Sequence, residues 1–251
     1  MKSSNKHILI VLDAGGCAAL SMHTATELAT MMKAGVKALY VEDINLLNAV
    51  DLPFTREVSL HTAAVSSIDS ASMLEKIHID AEVIKKQIED IAVTYSVSFS
   101  FSSMRGHKTQ VFKNRAEEVN MVLIPAASSG RGRQQTYHSK HEVVVVYEEQ
   151  LVSSDNALNI ALSQAAKKNY RLHVIADSEQ AQQHVEKMFD RYSGDAVSRL
   201  ADFSNPVEMI SLLYRYAPAL FVLPESSSLV RDERVLQKLI DTLKSDILLV
   251  Q

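Results

Sequence analysis

The sequence predicts an α/β protein built from two tandem, open, mostly parallel sheets flanked by helices. Three observations point there. Short continuous apolar runs such as Ile8–Leu12 and Val143–Tyr147 have the pattern of strands buried on both faces, which belong to parallel sheets. These runs alternate with segments of helical periodicity, the arrangement that gives right-handed crossovers between parallel strands. The order then repeats after roughly 130 residues, a period longer than that of solenoid repeats and suited to an internal duplication.

The first unit opens with the strand Ile8–Leu12, which ends at Asp13-Ala14-Gly15-Gly16. A helix rich in Ala, Leu, Met and Glu is expected over 18–33, followed by a second strand over 36–41. Residues 42–72 carry Pro53 and many Ser and Thr, and read as irregular. An amphipathic helix follows, with Val83, Ile84, Gln87, Ile88, Ile91, Ala92 and Tyr95 on one stripe. Residues 97–102 alternate with period two, as a strand with one less buried face does. A helix over 108–119 and the strand Met121–Ile124 complete the unit.

The second unit has strands over 143–147, 172–176, 196–201, 219–223 and 247–250. The intervening helices cover 155–168, 179–189, 206–216 and 230–243. The third of these is opened by Asn205 as N-cap and Pro206 at the first helical position. The polar stretch 126–141 lacks apolar periodicity and serves as linker, so the expected domains are 1–140 and 141–251.

Composition removes several function classes. The 251 residues are 47% hydrophobic and 22% charged, with a net charge of −4, as in a folded globular protein and not a disordered or basic nucleic-acid-binding one. A single cysteine, Cys17, forms no internal disulfide and suits a reducing compartment. The first apolar run is too short for a signal-peptide core or a membrane span, so a cytoplasmic protein with no membrane partner is expected. No Gly-x-Ser-x-Gly elbow is present, and His138 and His141 lack companion ligands for a metal.

Several segments resemble the universal stress protein (UspA-like) family. Lys6–Asp13 resembles that family's opening strand ending in Asp, and Val36–Val41 its second strand. Arg105-Gly106 before a helix, and Glu117–Pro125, resemble the stretch leading to the family's nucleotide loop. In the second unit, Ala219–Leu229 and Ser245–Gln251 resemble the last two strands, and tandem pairs of such domains are familiar in the family. The resemblance implies a Rossmann-like fold and, in nucleotide-binding members, ATP or AMP at a loop of pattern Gly-x2-Gly-x9-Gly-Ser/Thr.

Here that loop is degenerate. Pro125–Arg133 offers Gly130 for one motif glycine, puts Ala126 or Ala127 where the earlier one stands, and has no following Gly-Ser pair. Glycine matters because backbone N–H groups approach phosphate oxygens where a Cβ leaves no room. The second unit has no glycine between Pro224 and Arg234, and Tyr147-Glu148-Glu149 replaces the strand-end Asp. Two acids at that mouth repel phosphate, so ATP binding is not expected there. The candidate nucleotide or anion site is therefore in the first unit: Asp13, Val41, Gly130, Arg131, Gly132 and Arg133.

A helix cap or turn is the competing role for Asp13. Arg105, Lys108, Lys113 and Arg115 with Arg131 and Arg133 form a local basic excess, which serves either an anion or simply a solvated surface. By halves, residues 1–140 carry +1 and residues 141–251 carry −5, making the first the better anion host. The segment Asp13–Ser21 is only distantly similar to the Ser-Gly-Gly-x-Asp-Ser loop of ATP pyrophosphatases and lacks its key Asp and flanking Ser. The expected function is thus non-catalytic association in a stress response, as a homo-oligomer or with another protein. The alternative is an adenine-nucleotide-binding module in the first unit.

Overall fold

The computed structural model describes residues 6–14, 19–58, 62–109, 119–126, 140–190, 192–243 and 245–251. The chain divides into two compact units, 1–115 and 116–251. Among the described residues no helix is long and apolar enough to cross a membrane.

In the first unit, β1 (His7–Leu12), β2 (Gly35–Asp43) and β5 (Phe99–Gly106) run parallel in the order β5-β2-β1. Ile8 to Leu12 are buried without a break, as an apolar run in a parallel sheet requires. Helix α1 (Ala19–Met32) joins β1 to β2, and α3 (Ser70–Thr94) leads into β5.

The described parts of the stretch expected to be irregular, 42–58 and 62–72, carry regular elements. They hold the short helix α2 (Ile44–Val50), capped by Asp43 through the Asn45 N–H at 2.8 Å. A hairpin of β3 (Arg56–Val58) and β4 (Val65–Ser67) follows. Helix α3 begins well upstream of the predicted stripe, with Asp69 as its N-cap. Its buried face is Ile77, Ala81, Ile84, Ile88 and Ala92. Ile84, Ile88 and Ala92 of the predicted stripe are buried, whereas Val83 and Gln87 are exposed, because both lie to one side of the row from Ile77 to Ala92 that forms the seam.

In the second unit the order is β6-β11-β10-β7-β8-β9. These strands are β6 (Met121–Ile124), β7 (Lys140–Tyr147), β8 (Arg171–Ala176), β9 (Ala196–Leu200), β10 (Pro218–Pro224) and β11 (Asp246–Val250). All the pairings are parallel except β6 with β11, where Ile247 faces Ile124 and Val250 faces Met121. Thus Met121–Ile124 groups with the residues that follow it, and β7, between β10 and β8, is also fully inside this unit.

The helices are α4 (Val152–Lys168), α5 (Glu179–Phe189), α6 (Pro206–Tyr216), the single turn α7 (Ser228–Arg231) and α8 (Glu233–Thr242). Asn205 and Pro206 open α6 as the sequence predicts, the Asn205 side chain accepting from the Val207 and Glu208 N–H groups. The helix predicted over 230–243 is interrupted at Asp232, which caps α8. The helix predicted over 108–119 falls mostly outside the described residues, as do Cys17, Gly15 and Gly16.

With few glycines available, the chain ends its helices on other residues. Lys33, Ser96 and Asn169 take left-handed φ values of 52°, 54° and 52° after α1, α3 and α4. At each, the following N–H reaches back across the last turn: Ala34 to Ala29, Val97 to Ala92 and Tyr170 to Ala165. These are Schellman closures of the kind glycine favours. A side chain there costs about 1 kcal/mol, more than glycine's extra unfolded-state freedom returns. Ser96→Gly is therefore expected to raise stability by about 0.5–1 kcal/mol. Urea unfolding checks this, and a loss of stability would mean the Ser96 side chain makes a contact that outweighs its strain.

Candidate functional site

Ligands of open α/β sheets bind beyond the carboxyl ends of the strands, most often where the strand order reverses. Each unit presents such an end.

In the first unit, β1 and β2 pair as far as Leu12 and Tyr40, so the next register position sets Asp13 beside Val41. The two candidates are brought to one level. Val41 is buried and pairs with Met104 of β5, so its contribution is a wall and backbone rather than a side-chain contact with solvent. Asp13 is ion-paired with Lys108, which follows β5 and is itself mostly shielded from solvent. One strand over, the buried Glu42 accepts from Arg105 Nε at 3.3 Å and Nη2 at 3.2 Å, with His78 Nε2 at 3.5 Å. Asn45 Nδ2 and His107 Nδ1 meet at 3.3 Å.

The basic excess around 105–108 is thus answered by acids from neighbouring strands. Arg105 and Lys108 each carry a carboxylate partner. Gly130, Arg131, Gly132 and Arg133 lie outside the described residues, as do Lys113 and Arg115.

In the second unit the order reverses between β7 and β10, and its crevice holds protein groups. Glu148, just past β7, receives the Ser227 hydroxyl on its carboxylate and the Ser228 N–H at 3.1 Å. It therefore sits over the start of the turn α7, in the place an anion takes at the mouth of such a sheet. Its backbone is pinned as well: Glu148 N–H donates to Ser154 Oγ at 3.1 Å, and Ser154 Oγ donates to Glu148 O at 2.9 Å. Ser153 and Ser226 join hydroxyls at 2.8 Å across the same crevice.

The neighbouring acid is equally committed. Glu149 accepts from Ser178 Oγ at 2.6 Å, and its N–H meets Asp177 Oδ1 at 3.1 Å. Tyr147 donates to Asp155 Oδ1 at 2.8 Å, and His184 Nε2 approaches the same oxygen at 3.4 Å. Burial, followed by Asp155, pushes the Tyr147 phenol well above its ordinary range, so it stays a donor.

The absence of glycine from this loop is met by serines and a carboxylate. Spacing along the chain does not reveal those partners. The Ser226-Ser227-Ser228 run, a helix-start signal ahead of Leu229, is the clue the sequence offers.

Among the described residues no group of three or more His, Cys, Asp or Glu is placed to hold a metal ion. His141 packs its ring on Tyr170 at 5.1 Å, and His138 lies outside the described residues. Glu142, His173 and the buried Tyr216 form a separate, partly buried group. His173 Nε2 lies 3.6 Å from Glu142, its ring is 4.9 Å from that of Tyr216, and burial holds it below the usual histidine range.

By sequence, the chain matches no protein-family model and no curated protein. By structure, it is similar to a universal stress protein from Archaeoglobus fulgidus DSM 4304. The TM-score is 0.51 at 10% identity, over 97% of this chain and 96% of that one. The chain has the universal-stress-protein fold. A Pseudomonas aeruginosa UCBPP-PA14 chain described as a universal stress protein aligns over 98% of this chain and 92% of its own, at 12% identity and a TM-score of 0.47. Within this universal-stress fold, the first unit's crevice is walled by ion pairs and the second unit's is occupied by Glu148.

Proposed function

We propose that this protein acts by association in a cytoplasmic stress response, as a tandem universal-stress-type protein without catalytic activity. One observation carries the reading. Glu148 caps the Ser227–Ser228 turn at the point of strand reversal, with its negative charge where a nucleotide phosphate has to sit. A carboxylate and a phosphate repel at that distance, and the loop has no glycine to let backbone N–H groups close on phosphate. The second unit then acts through its surface and not through a bound nucleotide.

A second reading has its own support. Asp13, just past β1, stands level with Val41, two residues before the end of β2, and Lys108 adds an ammonium group beside Asp13. An adenine nucleotide, ATP or AMP, fits that chemistry, with Lys108 exchanging Asp13 for a phosphate oxygen.

Thermal unfolding with millimolar ATP, AMP or neither separates the two. Association alone predicts no shift. A first-unit site predicts a rise of about 5–10 °C, since ligand at about 100 times its dissociation constant adds about 2.7 kcal/mol, and Asp13→Ala abolishes that rise. A shift lost in Glu148→Gln but kept in Asp13→Ala places nucleotide in the second unit and overturns both.

A further inference from the structure

The strand best suited to edge-to-edge dimerisation by its apolar sequence is the terminal one, Asp246–Gln251. In the structure β11 is paired on both sides, with β10 and with β6, so it offers no edge. Within the first unit, β5 is paired with β2 alone, and no other described strand lies along its far side. Exposed strand edges are ordinarily blunted by shortness, lysine or proline. β5 has eight residues, Phe-Ser-Phe-Ser-Ser-Met-Arg-Gly, with neither lysine nor proline. Its single charge, Arg105, is already matched by Glu42. The edge of β9, by contrast, has five residues and presents Arg199.

The hydrogen-bond phase of β5 can be fixed. Val36 N–H donates to Ser98 O at 2.8 Å, with Val36 opposite Phe99 in register. In a parallel ladder each residue points both of its backbone groups at the same neighbour, and alternate residues point oppositely. Ser100, Ser102 and Met104 are therefore spent on β2. Phe99, Phe101, Ser103 and Arg105 turn their N–H and C=O groups outward.

We propose that β5 pairs antiparallel with β5 of a second copy of this chain, about a two-fold axis through Ser102. This rests on the association reading and gives it a surface and a partner. The even spacing of the outward groups allows this register, since both members of a hydrogen-bonded antiparallel pair must point across the interface. Phe99 then faces the partner's Arg105, and Phe101 faces the partner's Ser103. Ser100 faces the partner's Met104, and Ser102 faces its own symmetry mate. No like charges meet, and Arg105 lies over an aromatic face. An isologous pairing also closes after two copies, so it does not grow into a fibre.

Sedimentation of the full chain tests the pairing. The wild type is expected to be a dimer. Ser103→Pro removes one outward N–H without touching the β2 ladder, and is expected to raise the dissociation constant at least about tenfold. Ser102→Lys and Ser102→Glu each set like charges face to face and are expected to give monomers. Mixing the two variants is expected to restore a dimer, a rescue that misfolding does not produce.

A monomeric wild type overturns the β5 pairing. It leaves association with a different protein standing, to be judged by pull-down. A dimer unmoved by Ser103→Pro and by either Ser102 variant also overturns it, while supporting association through another face.

Discussion

Phe221→Ala is expected to lower the unfolding free energy by about 3–5 kcal/mol. Phe221 is completely buried on β10, where it faces Val144 of β7 on one side and Ile247 of β11 on the other. Truncation to alanine removes the ring's transfer free energy. It also leaves a cavity between strands that their neighbours hold in place, so the gap closes only in part. Phe221→Leu keeps most of the volume and is expected to cost less than about 1.5 kcal/mol. Guanidinium unfolding followed by circular dichroism measures both. Equal, small losses for the two variants would mean that this strand is not at the centre of the unit.

Glu148→Ala is expected to cost about 1.5–3 kcal/mol, the range for hydrogen bonds to a charged acceptor. Two groups at the start of the α7 turn lose their partner together, the Ser227 hydroxyl and the Ser228 N–H. Glu148→Gln keeps an acceptor without the charge and is expected to lie between alanine and wild type. The same substitution tests what the carboxylate excludes. Phosphate or sulfate at tens of millimolar should recover stability in Glu148→Ala more than in the wild type, because an anion regains access to the donors Glu148 now holds. Equal responses to the salt in both proteins would show that the crevice is closed by something other than Glu148.

The sequence disclosed the fold where burial and period agree. Ile8–Leu12, Val143–Tyr147 and Ala219–Leu223 are apolar at every position because parallel strands are covered on both faces, and each lies in a strand. Caps were equally legible: Asn205-Pro206 marks the first turn of α6 through chemistry confined to neighbours in the chain. Short elements were not. The hairpin Arg56–Val58 with Val65–Ser67 has three residues a strand, too few for a period, and most of its side chains are exposed.

At the candidate site, the shared level of Asp13 and Val41 was legible from the two apolar runs that pair as neighbouring strands. Its electrostatics were not. The pair of Glu42 with Arg105 spans 63 residues, and that of Glu148 with Ser227 spans 79. A run of like charge in the sequence says nothing of the acids that another strand brings to it.

The pairing of β6 with β11 has a consequence for how the second unit folds. Its two strands are far apart in the chain: the Asp246 side chain accepts from the Ala126 N–H at 3.0 Å across a separation of 120 residues. A contact of that range forms late, after the loop between has been closed by more local structure. Until then the apolar flanks of β6 and β10, both built for a neighbour, stand open. The unit's hazard is therefore kinetic, a window during refolding in which strands recruit the wrong chain, and aggregation should rise with protein concentration in that window while the finished protein stays clear.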